Sequence, residues 1–434
     1  MRHVLAMTSA GSIGLMAIFL VDFLSLLYVS RLGDPNLTAA VGYATQILFF
    51  SVSIGIGLSI AIAALVARAL GAGDRPRAQS LAGSCLVHIT LMSALVGFAV
   101  LPFRSDVLTA LGARGEALEV ASAYLLITLP ATVLLGIGMA LAGVLRAVGD
   151  AKRAMFVTLS GGIATAILDP IFIFGLGLGV QGAAIVTIFS RIILVLVGLY
   201  GAVRIHGLIG RPERKAIIRD LPPMMTIAIP AILTNIAAPV ANAYSMRIFS
   251  HFGEATVAAF AIIDRVSPLA FGVLFALSGS VGPIMSQNLG AGLIRRVRQT
   301  LTDSFTCAAI YVVLVSIILK LTAPLIIATF GASGDTERLV TFFCNFSGVL
   351  WLFLGGIFVT NAAFNNLGFP FLSTVFNWGR ATLGTIPCVT LGASLNGPEG
   401  GFLGMIVGAA FFGSTAVGTA YFVIAQLAKR RSNA

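Results

Sequence analysis

Charged residues are scarce in this chain of 434 residues. They make up 10% of it, against roughly a quarter in a typical soluble domain. Hydrophobic residues make up 58%, which excludes a large soluble helical protein. A membrane barrel is excluded as well, because its strands alternate in polarity over about 10 residues and the apolar runs here are long and uniform. The composition therefore predicts an all-α integral membrane protein.

Residues that ligate metals or attack substrates are also few. The four cysteines lie in apolar runs without paired spacing, which predicts neither a disulfide nor a zinc site; they are Cys85, Cys307, Cys344 and Cys388. The four histidines are scattered, and no H-E-x-x-H motif occurs. We expect no enzyme activity, no cofactor and no metal site, with a sodium site left open as the one exception.

Twelve stretches are long and apolar enough to cross a bilayer as helices, which takes about 20 residues each. They cover residues 12–31, 38–70, 80–101, 119–145, 154–175, 181–204, 223–250, 256–289, 301–323, 338–364, 371–393 and 401–428. The first stretch has the length of a signal peptide, but Asp22 interrupts it and no A-x-A cleavage site follows. We therefore expect the first stretch to be retained as a helix.

The two halves of the chain repeat each other. The sequence Gly-Ala-Gly occurs at 71–73 and again at 290–292. Similar segments align Gly149 with Gly368, and Gly182 with Gly400, at nearly the same offset. A long-period repeat in an apolar chain is typical of transporters built from two homologous bundles.

The repeat predicts two six-helix bundles. Six is an even number, so both halves enter the membrane from the same side, and the bundles should be related by a pseudo-two-fold axis along the membrane normal. We expect an N-terminal lobe over 1–204, a cytoplasmic linker loop over 205–222 and a C-terminal lobe over 223–434.

The net charge of +11 is explained by membrane topology. With the amino terminus in the cytoplasm, 18 of the 27 Lys and Arg residues fall in cytoplasmic segments, six fall outside and three lie within helices. This is the positive-inside pattern. It predicts a multi-pass protein of the cell inner (plasma) membrane with both termini cytoplasmic, in contact with membrane lipids and without nucleic acid. We expect a monomer.

Acidic residues inside the apolar stretches are the strongest functional signal. An ionised carboxylate in the membrane costs at least a few kcal/mol and marks a functional site by default. Asp22 lies about nine residues inside the external end of its stretch, and Asp169 about six, roughly 13 Å and 9 Å deep at 1.5 Å per residue. Thr187 lies at a depth similar to Asp169 on the next stretch. We predict that these three residues share one pocket in the outer half of the first bundle.

The second half lacks these groups. The repeat aligns Asn242 with Asp22, Pro387 with Asp169, and Met405 with Thr187. A group that the fold required would recur in both copies, so we interpret the acids as functional. Asp264 differs, because Arg265 follows it and could supply counter-charge; we interpret it as structural.

Two clustered carboxylates can carry a proton, because burial and mutual repulsion both favour the protonated form. Asp22, Asp169 and Thr187, with backbone carbonyls, could equally hold sodium. Arg191 lies one turn beyond Thr187 and could either balance the pocket or pair with a carbonyl group. The residues alone leave both questions open.

Several motifs resemble the multidrug and toxic compound extrusion (MATE) family over essentially the whole chain. They are LGAGD from Leu70, GVLRAVGDAKRAM from Gly143, ILDPIFIFGLGLGVQGAAIVT from Ile167, and NLGAG from Asn288. The run AAFNNLGFPFLSTVFNWGRATLGTIP from Ala362 is similar to the branch typified by the DNA-damage-inducible protein F. The resemblance implies efflux of small, drug-like, amphipathic and often cationic compounds in exchange for protons or sodium, by alternating access of two lobes.

The resemblance places the family's first acid on Asp22, its acid before proline on Asp169 and its threonine on Thr187. Thr165 stands where this branch usually has asparagine, four positions before Asp169, and this departure favours protons over sodium. Two other classes stay open. A lipid-linked precursor flippase would need a cationic cavity, and a membrane-embedded enzyme would need a catalytic motif. The arginines available within the membrane are Arg191, Arg265 and Arg380.

Overall fold

A computed structural model describes residues 2–32 and 35–432 of the chain. Within these ranges the side chains of residues 2, 3, 18, 19, 22, 23, 26, 27, 30, 35, 36, 38, 431 and 432 are not described. The described part is helical almost throughout and contains no strand. The prediction of an all-α membrane protein is confirmed.

The first half of the chain folds into helices α1 to α8. They are α1 (Arg2–Ser30), α2 (Pro35–Gly71), α3 (Arg75–Val100), α4 (Arg104–Ala110), α5 (Gly115–Thr128), α6 (Thr132–Ala147), α7 (Ala151–Pro170) and α8 (Gly179–Leu199). Short π-helical segments continue two of these helices, Ile171–Gly175 after α7 and Tyr200–Ile205 after α8. Helices α5 and α6 form one span bent by 50°.

The second half folds into longer helices. They are α9 (Arg214–Ser250), α10 (Glu254–Gly290), α11 (Ile294–Phe330), α12 (Asp335–Leu367), α13 (Pro370–Gly379) and α14 (Thr385–Ser432). A π-helical segment, Arg380–Gly384, joins α13 to α14. Helix α14 is interrupted at Asn396 and Gly397, whose backbone angles are not helical.

Nine helices among the described residues are long and apolar enough to span a membrane, and ten when the bent pair α5–α6 is included. The number differs from the twelve predicted stretches for two reasons. The stretches 371–393 and 401–428 lie in one helical run, interrupted only at Asn396 and Gly397. The stretch 12–31 lies in α1, where several side chains are not described.

The chain divides into two compact units. The first unit comprises residues 13–232, and the second comprises residues 1–12 and 233–434. The boundaries fall inside α1, after Ser12, and inside α9, after Ile232. The expectation of a loop over the whole of 205–222 is wrong from Arg214 onward, where α9 begins. The physical reason is packing, because Met224, Ile227 and Ala228 of α9 are buried in the core of the first unit.

The core of the first unit is formed by α2, α3, α6 and the beginning of α9. It is built from small and branched apolar side chains, among them Leu58, Ile62, Val66, Leu81, Ile89, Leu141 and Val144. The core of the second unit is more aromatic. Phe271 stacks on Trp351 with ring centroids 4.6 Å apart, and Phe249 stacks on Phe402 at 4.8 Å.

The repeat is visible in the backbone of two turns. Gly73 and Gly292 follow α2 and α10 with φ of 78° and 81°, and Gly149 and Gly368 follow α6 and α12 with φ of 88° and 97°. Positive φ favours glycine because it has no Cβ. The aligned glycines therefore end matching helices in the same way in both copies.

Candidate ion-coupling site

Asp169 lies at the end of α7, immediately before Pro170. Proline has no N–H and cannot continue a helical ladder without a break, and the chain passes into the π-helical segment Ile171–Gly175 at this point. Such segments occur often at functional sites. Asp169 itself is 1% exposed, so the end of α7 carries a buried carboxyl group.

Ser25 of α1 donates a hydrogen bond from its Oγ to Oδ2 of Asp169. Small residues bring the two helices together. A Cβ at Gly14 of α1 would lie 2.5 Å from Oγ1 of Thr158, and one at Gly162 of α7 would lie 3.4 Å from Cγ2 of Val21. The close packing of α1 on α7 therefore positions a hydroxyl donor on the carboxylate.

Asp169 has no cationic partner among the described side chains, in contrast to the other buried acid of the first unit. Ion pairs of the first unit are formed by Asp150 and Asp220 instead. An ionised carboxylate needs compensation when it is buried, and one hydroxyl donor compensates it only in part. The site is thus arranged so that the charge on Asp169 is costly.

The two predicted threonines lie on the helices next to this carboxylate. Thr165 is one turn before Asp169 on α7 and donates to the carbonyl of Gly161 at 3.1 Å. Thr187 of α8 donates to the carbonyl of Ala183 at 3.0 Å. Each hydroxyl proton is therefore used within its own helix, and each oxygen keeps lone pairs for a ligand. A site that joins Thr165 and Thr187 to Asp169 stays a prediction.

The side chain of Asp22 lies outside the described residues, so its place in the site also stays a prediction. The sequence puts Asp22 three positions before Ser25. Ser25 is the residue that the sequence analysis missed. The one signal for it was this spacing, because residues three apart are neighbours on a helix.

Arg191 pairs with a carbonyl group, which decides between its two interpretations. Its Nη1 donates to the carbonyl of Thr128 at 3.1 Å. Thr128 ends α5 at the bend, where the N–H of Thr132 bonds to Leu129 and leaves the Thr128 carbonyl to another donor. Arg191 therefore caps the broken span.

Asp264 and Arg265 make no ion pair in the part of the chain that the structure describes, and both residues are exposed. The interpretation of Asp264 as an acid compensated by Arg265 is not supported by this geometry.

Two ionic clusters hold connections between helices of the first unit. Asp220 of α9 is buried and accepts hydrogen bonds from Arg77 at 2.8 Å and from Arg219 at 3.0 Å. Asp150, the N-cap of α7, lies 2.8 Å from Nε2 of His206. These contacts fix the beginnings of α7 and α9 to the first unit.

The carboxyl group of Asp150 is more exposed to solvent than that of Asp220. Burial raises its pKa, but hydrogen bonds from the backbone N–H of Arg153, from His206 and from the Arg153 guanidinium outweigh burial. The pKa of Asp150 consequently lies below its ordinary value, so this group is ionised at neutral pH.

Comparison with known proteins identifies a family to which the chain is similar over most of its length. The profile of the MatE family matches residues 12–171 and 230–390, which is most of the chain and includes the segment that carries Asp169. A FAD transporter of Shewanella oneidensis is 29% identical over 409 residues, which cover 92% of this chain and 89% of that protein. The multidrug export protein MepA of Staphylococcus aureus is 22% identical over 387 residues, 88% of this chain and 82% of MepA.

The fold is shared with solved structures. The crystal structure of the Vibrio cholerae MATE transporter VcmN in the bent form matches with a TM-score of 0.93 and 23% identity, covering 98% of this chain and 97% of VcmN. At this level of identity the likeness concerns the fold: helices in two lobes, as the repeat predicted.

Proposed function

The chain belongs to the MatE family of transporters, and on that premise we propose that it is an antiporter that exports amphipathic organic compounds in exchange for protons. The mechanism is alternating access of two lobes. Two relatives support organic compounds as cargo, because one is a FAD transporter and one a multidrug export protein. The proposal includes placement in the inner membrane as a monomer with both termini cytoplasmic.

The observation that carries the proposal is the buried carboxylate of Asp169, which Ser25 alone contacts by a hydrogen bond among the described side chains. When this group is protonated it is neutral and can be buried without counter-charge. When it is ionised, burial in the membrane costs about 2.5 to 3.5 kcal/mol. A protein state that opens the group to water and a state that buries it therefore differ in their affinity for a proton.

A difference of this size supplies a large part of the free energy that shifts a conformational equilibrium. A ligand shifts a two-state equilibrium by its differential affinity for the two states, and a shift through most of the range takes about 5.5 kcal/mol. One carboxylate supplies about half of this, and a second one would supply the rest. We assign the second role to Asp22, on the strength of its position in the sequence.

Protons are favoured over sodium by the threonines. A sodium ion would need several oxygens around the carboxylate. Thr165 supplies a hydroxyl where this branch usually has an amide carbonyl. In the described part of the chain both threonine hydroxyls bond within their own helices, and neither bonds to the Asp169 carboxylate.

The test is transport in liposomes that contain the purified full-length protein. A pH gradient and a sodium gradient are imposed separately, and the movement of fluorescent cargo is followed together with internal pH. We expect the pH gradient alone to drive cargo, and cargo added without a gradient to move protons. Transport driven by a sodium gradient at constant pH would show that the coupling ion is sodium and not the proton. Absence of cargo movement under both gradients would refute the proposal.

The role of Asp22 is tested in the same assay. Asp22→Asn should abolish proton-driven transport while the protein still expresses and folds, because asparagine has nearly the same shape and is cheaper to bury. Asp264→Asn is the matched control, since it removes an acid from an apolar stretch of the second half. Normal proton-driven transport by Asp22→Asn would remove this residue from the mechanism.

A further inference from the structure

The second unit contains a buried polar strip on α12 and at the end of α13, which we name the donor strip. Its members are Asn361 and Asn365 of α12, Ser373 and Asn377 of α13, and Arg380 at the start of the following π-helical segment. Residues spaced by three and four positions lie on one face of a helix. The spacings 361–365 and 373–377–380 therefore give each helix one polar face.

Hydrogen bonds join the two faces. Nδ2 of Asn377 donates to Oδ1 of Asn361 at 2.8 Å, and Oγ of Ser373 donates to Oδ1 of Asn365 at 3.1 Å. Asn361 and Asn365 are thus engaged through their oxygens, which are their only side-chain acceptors. Because each oxygen already accepts one hydrogen bond, the two Nδ2 groups are the larger remaining polar capacity of these amides.

Arg380 adds a positive charge to this strip without an acid to balance it. The residue is half-buried, and its Nε has no hydrogen-bond partner in the described part of the chain. None of the ion pairs formed by described residues includes it. Half-buried arginines of the first unit differ: Arg191 donates to the Thr128 carbonyl and Arg146 to Oγ of Ser59.

The fold does not require this arginine. At the repeat offsets of 218 and 219, the positions aligned with Arg380 are Gly162 and Gly161. The π-helical segment is closed by Oγ1 of Thr385, which donates to the carbonyl of Arg380 at 2.9 Å, and the guanidinium takes no part in that bond. A charged residue inside the membrane is expensive and serves function by default.

We propose that the donor strip binds the phosphate group of an amphipathic organic anion, with Arg380 as its charged contact. The inference rests on the proposed function and names its substrate class. The strip offers donors and positive charge, and the planar fork of a guanidinium matches the oxygens of phosphate in a bidentate manner. Phe376, which is half-buried and stacks at 5.7 Å on the buried Phe364 of α12, supplies apolar surface on the same helix.

The similar FAD transporter agrees with this class, because FAD joins an aromatic ring system to a pyrophosphate. A cationic cargo would meet repulsion from Arg380. The charge of the strip therefore favours anionic over cationic compounds, independently of their shape.

The test compares two ligands that differ by one phosphate, FMN and riboflavin. Their binding to the purified full-length protein in nanodiscs is measured by flavin fluorescence. We expect FMN to bind at least 10-fold more tightly than riboflavin. Arg380→Gln should weaken FMN binding by about 10- to 100-fold, the range for a lost hydrogen bond to a charged group, and should leave riboflavin unchanged. Arg380→Lys should retain part of the preference.

Arg265→Gln is the matched control, because it removes the same charge from an apolar stretch of the same unit, and its FMN preference should be that of the unchanged protein. Equal binding of FMN and riboflavin by the unchanged protein, or an equal loss of both in Arg380→Gln, would overturn the inference. If Arg380→Gln fails to fold, the inference is tested on the unchanged protein. Inorganic pyrophosphate should then displace FMN and leave riboflavin bound. Failure of pyrophosphate to displace FMN would overturn the inference.

Failure of this inference is distinguishable from failure of the proposed function. If the pH gradient drives cargo but FMN has no advantage over riboflavin, only the substrate class is wrong. If the Arg380-dependent preference for FMN is found and no gradient moves any cargo, the binding site stands and the antiporter proposal falls.

Discussion

Replacing Asp169 by asparagine removes the group that binds a proton and keeps the shape of the site. The amide keeps the size of the carboxyl group, and its Oδ1 can still accept the hydrogen bond from Ser25. Burying the ionised carboxylate in a membrane costs about 2.5 to 3.5 kcal/mol more than burying the protonated one. Asparagine cannot ionise, so it removes that difference. At 1.4 kcal/mol per factor of ten, proton-driven flux should fall by roughly 60- to 300-fold.

The folded state should change little. A buried carboxylate with one donor is replaced by a neutral group that needs less compensation, so the unfolding temperature in detergent should stay equal or rise. The assay is initial cargo flux in liposomes under an imposed pH gradient, with cargo binding measured in parallel. Asp264→Asn serves as control and should retain the flux.

Two results would refute this reasoning. A pH-driven flux of Asp169→Asn within a few fold of the unchanged protein would show that the carboxylate does not carry the proton. An unfolding temperature that drops by many degrees would show that Asp169 holds α1 against α7, and the lost flux would then report on folding.

Three further outcomes follow from single contacts. Thr187→Ala should reduce proton-driven flux less than Asp169→Asn in the same liposomes, because it removes a hydroxyl and no titratable group. Arg77→Gln should lower the unfolding temperature in detergent, since it takes one of two cationic donors from the buried Asp220, a loss of about 2 kcal/mol. Asp150→Asn should destabilise the protein at neutral pH. Because the folded-state pKa of Asp150 lies below its ordinary value, this difference in stability should persist down to about pH 5 and shrink below about pH 4.

The parts of the fold that the sequence predicted depend on local chemistry. Long apolar stretches define the helices through the thickness of the bilayer, and the turns at Gly149 and Gly368 follow from positive φ at matching points of the repeat. The beginning of α9 was predicted wrongly because its basic residues resemble a loop. Tertiary packing decided otherwise, through the ion pair of Asp220 with Arg77.

The carboxylate of the site was predictable and its partner was not. Asp169 stands out because acids are rare inside apolar stretches. Ser25 is 144 residues away in the chain, and serine is common in membrane helices, where it usually bonds to its own helix. Arg191 shows the same limit, because its carbonyl partner exists only where the span of α5 and α6 breaks. The donor strip has helical spacing within α12 and within α13, but the pairing of its two faces exists only where these helices are brought together.

A comparison inside the chain shows why Asp169 is a matter of function. Ser25 and Ser245 are equivalent at the repeat offset of 220. Ser245 donates to the carbonyl of Ala241 at 3.0 Å, the ordinary bond of a serine within its own helix. Ser25 donates to Asp169 instead, and the residue opposite Asp169 in the second copy is Pro387. The fold therefore tolerates the serine without an acid, and the first copy has added a carboxylate whose burial costs free energy. A cost that one copy carries and the other avoids supports the proposal that Asp169 acts in the transport cycle, where a bound proton would make the carboxylate neutral.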